Sequence, residues 1–79
     1  MSRTFTLSSD GFLEGDQINT DEEIHLAMRD QIVIEVIMLN EVETIGELQA
    51  YNQYVIKVNN VFYFRDEVDL FISFIPEPV

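Results

Sequence analysis

Few side chains in this sequence have types and spacings suited to chemistry, and most of those are carboxylates. Asp10, Glu14, Asp16 and Asp21 gather early in the chain, as hard oxygen ligands for calcium would. The D-x-[DN]-x-[DN]-G spacing of a calcium loop is absent, so a solvated turn is expected there. His25 is the single histidine and there is no cysteine, so no Cys/His metal set can form and His25 reads as a surface or packing residue. No serine sits in a nucleophile-elbow context, and scattered carboxylates do not define an acid/base pair. The sequence is therefore read as that of a non-enzyme, with no cofactor and no metal.

The elements that position these residues belong to a small domain. Seventy-nine residues bury a modest fraction of the unfolded surface, and without disulfides or a structural metal the remaining device for extra burial is oligomerisation. Hydrophobic residues are 47% of a chain that also carries 15 acidic groups, so charge and apolar surface must be segregated. The net charge of −11 opposes general attraction to nucleic acid or anionic membranes. Residues 1 to 5 lack the apolar core of a signal peptide, and no run approaches the ~18 apolar residues of a membrane span, so a cytoplasmic protein without membrane contact is expected.

Residues 1–19 read as an N-terminal extension and residues 20–79 as the domain. Within the extension, Arg3 to Leu7 alternates like a short strand, turn residues follow, and Phe5, Leu7, Phe12 and Leu13 are available to pack on the domain. Thr20-Asp21-Glu22-Glu23 has the spacing of a capping box and predicts a short helix, with Ile24, Ala27 and Met28 as its apolar stripe. From Ile32 onward the period falls to 2, in a stretch dense in β-branched and aromatic residues. Five strands are predicted: 32–39, 43–51, 54–58, 61–65 and 68–74. Their short connectors require antiparallel hairpins, and Asn59-Asn60 suits a two-residue turn with left-handed backbone. Gly46 inside the second strand is expected to permit a sharp bend. The whole is a mainly β fold, a short helix followed by a strongly bent five-stranded antiparallel sheet.

Val61, Phe62, Tyr63 and Phe64, and again Leu70, Phe71, Ile72 and Phe74, place apolar groups on both faces of the last two strands. A monomer would leave part of that surface bare. These eight residues are the expected oligomer interface, formed by pairing edges between protomers in a closed ring.

The order of helix and strands, with Ile45, Gly46, Leu48 and the run Tyr51-Asn52-Gln53-Tyr54-Val55-Ile56, resembles the first motif of the Sm-like superfamily of Sm, LSm and Hfq proteins. Phe64-Arg65-Asp66-Glu67-Val68 resembles the second. The likeness covers about residues 20 to 75 and implies an Sm-like barrel. It also implies a homo-oligomeric ring of five to seven subunits, closed by the fourth strand of one copy on the fifth of the next, with single-stranded RNA held by the pore loops. By position Tyr54 would stack on a base, Asn52 and Gln53 would hydrogen-bond, and Arg65 would meet a phosphate or base. Asn52 stands where the family has an acidic residue, Ile56 where Sm proteins have an asparagine, and Asp66 where a glycine or histidine follows the basic residue.

Charge supplies a second hypothesis. A ring of six such chains would carry about −66, a field that repels polyanions. The alternative is an acidic structural or protein-interaction ring that binds no nucleic acid and meets a basic protein instead.

Overall fold

The computed structural model describes residues 11–76. It contains one helix and six strands: β1 (Gln17–Ile18), α1 (Asp21–Arg29), β2 (Val33–Met38), β3 (Glu41–Tyr51), β4 (Val55–Val58), β5 (Val61–Phe64) and β6 (Asp69–Phe74). The strands form one antiparallel sheet in the order β1-β6-β2-β3-β4-β5. The expected mainly β fold, with a helix followed by five strands, is present. Two details differ from expectation: a sixth strand, β1, precedes the helix, and the sheet does not close into a barrel.

The helix begins as its first residues dictate. Thr20 Oγ1 accepts from the Glu23 amide at 3.1 Å, and the Glu23 carboxylate accepts from the Asn19 and Thr20 amides at 2.9 and 3.2 Å. Those two backbone donors hold the Glu23 carboxyl below its ordinary value of 4.5. Asp21, Glu22 and Glu23 face the positive end of the helix dipole and Arg29 the negative end. The helix stops on a Schellman arrangement. Gln31 adopts φ 56°, and the amides of Gln31 and Ile32 bond back to the Met28 and Ala27 carbonyls at 3.2 and 3.0 Å.

Two-residue turns make the hairpins. Asn59 and Asn60 (φ 52° and 66°) join β4 to β5 as expected, and Leu39 and Asn40 (φ 53° and 65°) join β2 to β3, so the break expected at residues 40–42 begins one residue earlier. Beta-3 is the longest strand and serves two partners. Residues 41–47 pair with β2 and residues 48–51 with β4, with a register shift between Leu48 and Ala50. The sheet thereby folds over one core, in which Ile34, Val36, Leu70 and Ile72 meet Leu48, Ile56 and Val58 under Ile24 and Ala27 of the helix.

Gly46 serves a closer purpose than bending. A Cβ there would lie 2.7 Å from Asn59 Oδ1, because the Asn59 side chain lies across this backbone and donates to Thr44 Oγ1 at 2.6 Å and the Ile45 carbonyl at 3.1 Å. The β4–β5 turn is thus docked back onto β3. Gln49 completes the docking by accepting from the Asn60 amide at 2.7 Å.

The stretch before the helix is part of the folded unit. Phe12 and Ile18 are buried in the core, while Leu13 stays 40% exposed. Gly15 donates to the Ile72 carbonyl at 2.7 Å, Ile72 donates to the Asp16 carbonyl at 2.8 Å, and Gln17 and Ile18 pair with Phe71 and Leu70. The outer edge of β6 is therefore occupied by the chain's own residues 15–18. The expected strand at residues 3–7, with Phe5 and Leu7, lies outside the described residues.

Candidate functional site

The loop after β3 and the turn after β5 lie side by side and carry the four residues that the resemblance assigns to ligand contact. Asn52 builds its own loop. Its Oδ1 accepts from the amides of Tyr54 (2.7 Å) and Val55 (2.9 Å), and its amide donates to the Val55 carbonyl at 2.9 Å. This Asx turn is what short polar side chains do locally, and it commits the oxygen that was to read a base. Gln53 and Tyr54 project from the turn, with Tyr54 66% exposed.

Arg65 is held from three sides. Its Nη1 donates to Asp21 Oδ1 and to the Asn52 carbonyl, both at 2.6 Å, and its Nη2 donates to the Asn19 carbonyl at 3.0 Å. The side chain is only 15% exposed, against 68% for Asp21. Because Asn19 follows β1 and Arg65 follows β5, this guanidinium joins the ends of the two edge strands. It is a side-chain seam at the place where a barrel would have a backbone ladder. The sequence pointed to Arg65, and to Asp21 only as an early carboxylate and part of the capping box; that Asp21 and Asn19 hold Arg65 across 44 and 46 residues has no local signal.

Asn19, Gln53, Tyr54, Phe64, Arg65 and Asp66 surround an open depression of about 560 Å³. Two aromatic rings flank it, and its cation is already paired. The other described cations are engaged as well. Arg29 bonds Asp30 at 2.9 Å, and Lys57 Nζ stands 5.3 Å from the centre of the Phe62 ring. His25 is exposed and meets Tyr51 edge-on, with ring centres 6.3 Å apart. Among the described residues no group of three His, Cys, Asp or Glu is placed to hold a metal ion, and no helix is long and apolar enough to cross a membrane.

The eight residues expected at an oligomer interface divide. Val61, Phe62, Phe64 and Phe74 are exposed by half or more, except Val61 at 47%. Tyr63, Phe71 and the core-packed Leu70 and Ile72 are not free surface: Leu70 and Ile72 are buried, Phe71 is half-buried and Tyr63 packs against the core. The two-sided apolar character of β6 is therefore satisfied largely within one chain, and that of β5 is not.

No family model, curated protein or solved structure matches this chain.

Proposed function

We propose that this chain is a non-catalytic protein-interaction domain that works by assembling with copies of itself and does not hold nucleic acid. The observation that carries this reading is the exposed apolar strand β5, with Val61, Phe62 and Phe64 bare on the last strand of an open sheet. Such an edge is a template for another strand. The charge balance supports it from the other side, since the three described cations are engaged within the domain and the net charge is −11. An acidic assembly of this kind suits a basic protein as a further partner.

Native mass spectrometry together with fluorescence anisotropy on short oligo(U) and oligo(A) at low salt tests the reading. Assembly without oligonucleotide binding is the expected result. Oligonucleotide binding that Tyr54→Ala abolishes would overturn it.

A second reading is the single-stranded RNA ring that the Sm-like resemblance implies. It is favoured by one observation, the exposed rings of Tyr54 and Phe64 beside Gln53 around the depression. Closing the ring by laying β5 on the β6 of a neighbour would require residues 15–18 to leave the β6 edge first.

A further inference from the structure

The partner that β5 takes follows from three features of the sheet. The first is which backbone groups are available. Arg65 donates from its amide to the Tyr54 carbonyl at 2.8 Å, and β5 pairs with β4 through Val61 opposite Val58 and Tyr63 opposite Ile56. Alternation along an antiparallel strand therefore turns residues 61, 63 and 65 toward β4 and residues 62 and 64 outward. The outward groups are the N–H and C=O of Phe62 and the N–H of Phe64. The Phe64 carbonyl accepts from the Glu67 amide at 3.0 Å and keeps a second lone pair.

The second feature is charge. From Leu48 to Arg65 the sequence contains no Asp or Glu, although the chain as a whole carries 15. The β4–β5 hairpin itself thus carries no carboxylate on a strongly acidic molecule, with Asp66 and Asp21 standing at its Arg65 end, and Lys57 lies over Phe62 on the side that also bears Phe64. Two copies that meet along this strand bring together residues 61–64, none of them acidic, so the pairing meets less like-charge repulsion than the overall charge implies.

The third is the state of the other edge. A β5 strand cannot add to β6 of a neighbour while residues 15–18 fill that position. The edge that β1 itself presents is only the two residues Gln17 and Ile18, shorter than β5, which leaves the same strand of a second copy as the self-complementary partner.

We infer that two chains join by antiparallel pairing of β5 with β5 about a twofold axis. Phe62 and Phe64 of one copy then pack against those of the other, and outward amides donate to outward carbonyls across the axis. This deepens the self-assembly reading above and rests on it. A four-residue edge is small for an interface, so pairing is expected at about micromolar rather than nanomolar concentrations.

The test is sedimentation equilibrium and native mass spectrometry from about 1 to 100 µM, with amide hydrogen exchange followed by NMR over the same range. The expected result is a monomer–dimer equilibrium, with the Phe62 and Phe64 amides gaining protection at least tenfold as concentration rises while core amides do not change. Phe64→Lys is expected to give a monomer with an unaltered circular dichroism spectrum. If that variant fails to fold, the exchange measurement on the wild-type chain decides. A ring of five to seven copies would overturn the twofold pairing and leave self-assembly standing. A monomer at every concentration would overturn both. A dimer in which the Phe62 and Phe64 amides stay unprotected, or which survives Phe64→Lys, would overturn the pairing of β5.

Discussion

Arg65 and Asp21 stand 44 residues apart in sequence and meet through a 2.6 Å hydrogen bond between Nη1 and Oδ1, which ties the turn after β5 to the first turn of the helix. The same nitrogen and its neighbour bond the carbonyls of Asn52 and Asn19, so one guanidinium secures three chain segments at once. A group so placed stabilises the domain before it can serve a ligand.

Arg65→Ala is accordingly expected to destabilise the domain by about 2 kcal/mol, the scale of hydrogen bonds to a charged donor, and to lower Tm by roughly 10 °C in a chain of this size. Asp21→Asn should cost less than about 1 kcal/mol, because Asp21 is largely exposed and the two carbonyl bonds remain. Thermal unfolding followed by circular dichroism checks both. An unchanged Tm for Arg65→Ala would return this residue to the pool of ligand-binding candidates.

Gly46 and Asn59 should be coupled. Gly46→Ala puts a Cβ 2.7 Å from Asn59 Oδ1 and displaces the side chain that bonds Thr44 and Ile45, for an expected loss of about 1–3 kcal/mol. Asn59→Gly keeps the left-handed turn at φ 52° and removes the obstacle. In the double variant, Gly46→Ala should then add little further loss. Urea unfolding of the four proteins in the cycle measures the interaction, and strict additivity would show that the two sites are independent.

Leu39 occupies the left-handed region at φ 53° with 89% of its surface exposed, a conformation and an environment that leucine disfavours. Leu39→Asn should raise stability by about 0.5–1 kcal/mol by matching the turn. A fall in Tm would mean that this leucine makes a contact outside the single chain.

Glu23 predicts a pH signature. Two backbone donors depress its folded pKa relative to 4.5, so its stabilising contribution is complete above the unfolded value and is lost as pH falls below 4.5 through the folded one. Glu23→Gln retains an oxygen acceptor for Asn19 and Thr20 but does not titrate. The stability difference between wild type and Glu23→Gln, from urea unfolding between pH 7 and pH 3, should therefore shrink below pH 4.5.

Much of the fold was legible where local physics decides it. The Thr20/Glu23 capping box, the Ile24 and Ala27 stripe and the Asn59-Asn60 turn all carry their determinants within a few residues, and the structure contains each of them. The missed elements depend on distant partners. Beta-1 is two residues long and exists because β6 offers it an edge, which the run Glu14-Gly15-Asp16-Gln17-Ile18 does not announce. The break between the strands expected at 32–39 and 43–51 is present, but it falls at Leu39-Asn40 because a strand-forming leucine occupies the first turn position. For the four residues expected to touch a ligand, the resemblance implied neighbouring loops, while the residue pattern put Tyr54 and Arg65 at strand ends. Neither could foresee that Asn52 would spend its oxygen on its own turn, or that Arg65 would be claimed by Asp21 and Asn19.

The position of β6 between β2 and β1 has a bearing on how the chain reaches this structure. The β2–β3 and β4–β5 hairpins close over two residues each, on the microsecond scale, whereas β6 must travel back to β2 and then accept β1 from the far end of the sequence. The slow step of folding is expected to be that long-range capture. Until it is complete, Leu70-Phe71-Ile72-Ser73-Phe74-Ile75 is an uncovered apolar strand, so the interval before capture is when misassembly between nascent chains is most probable.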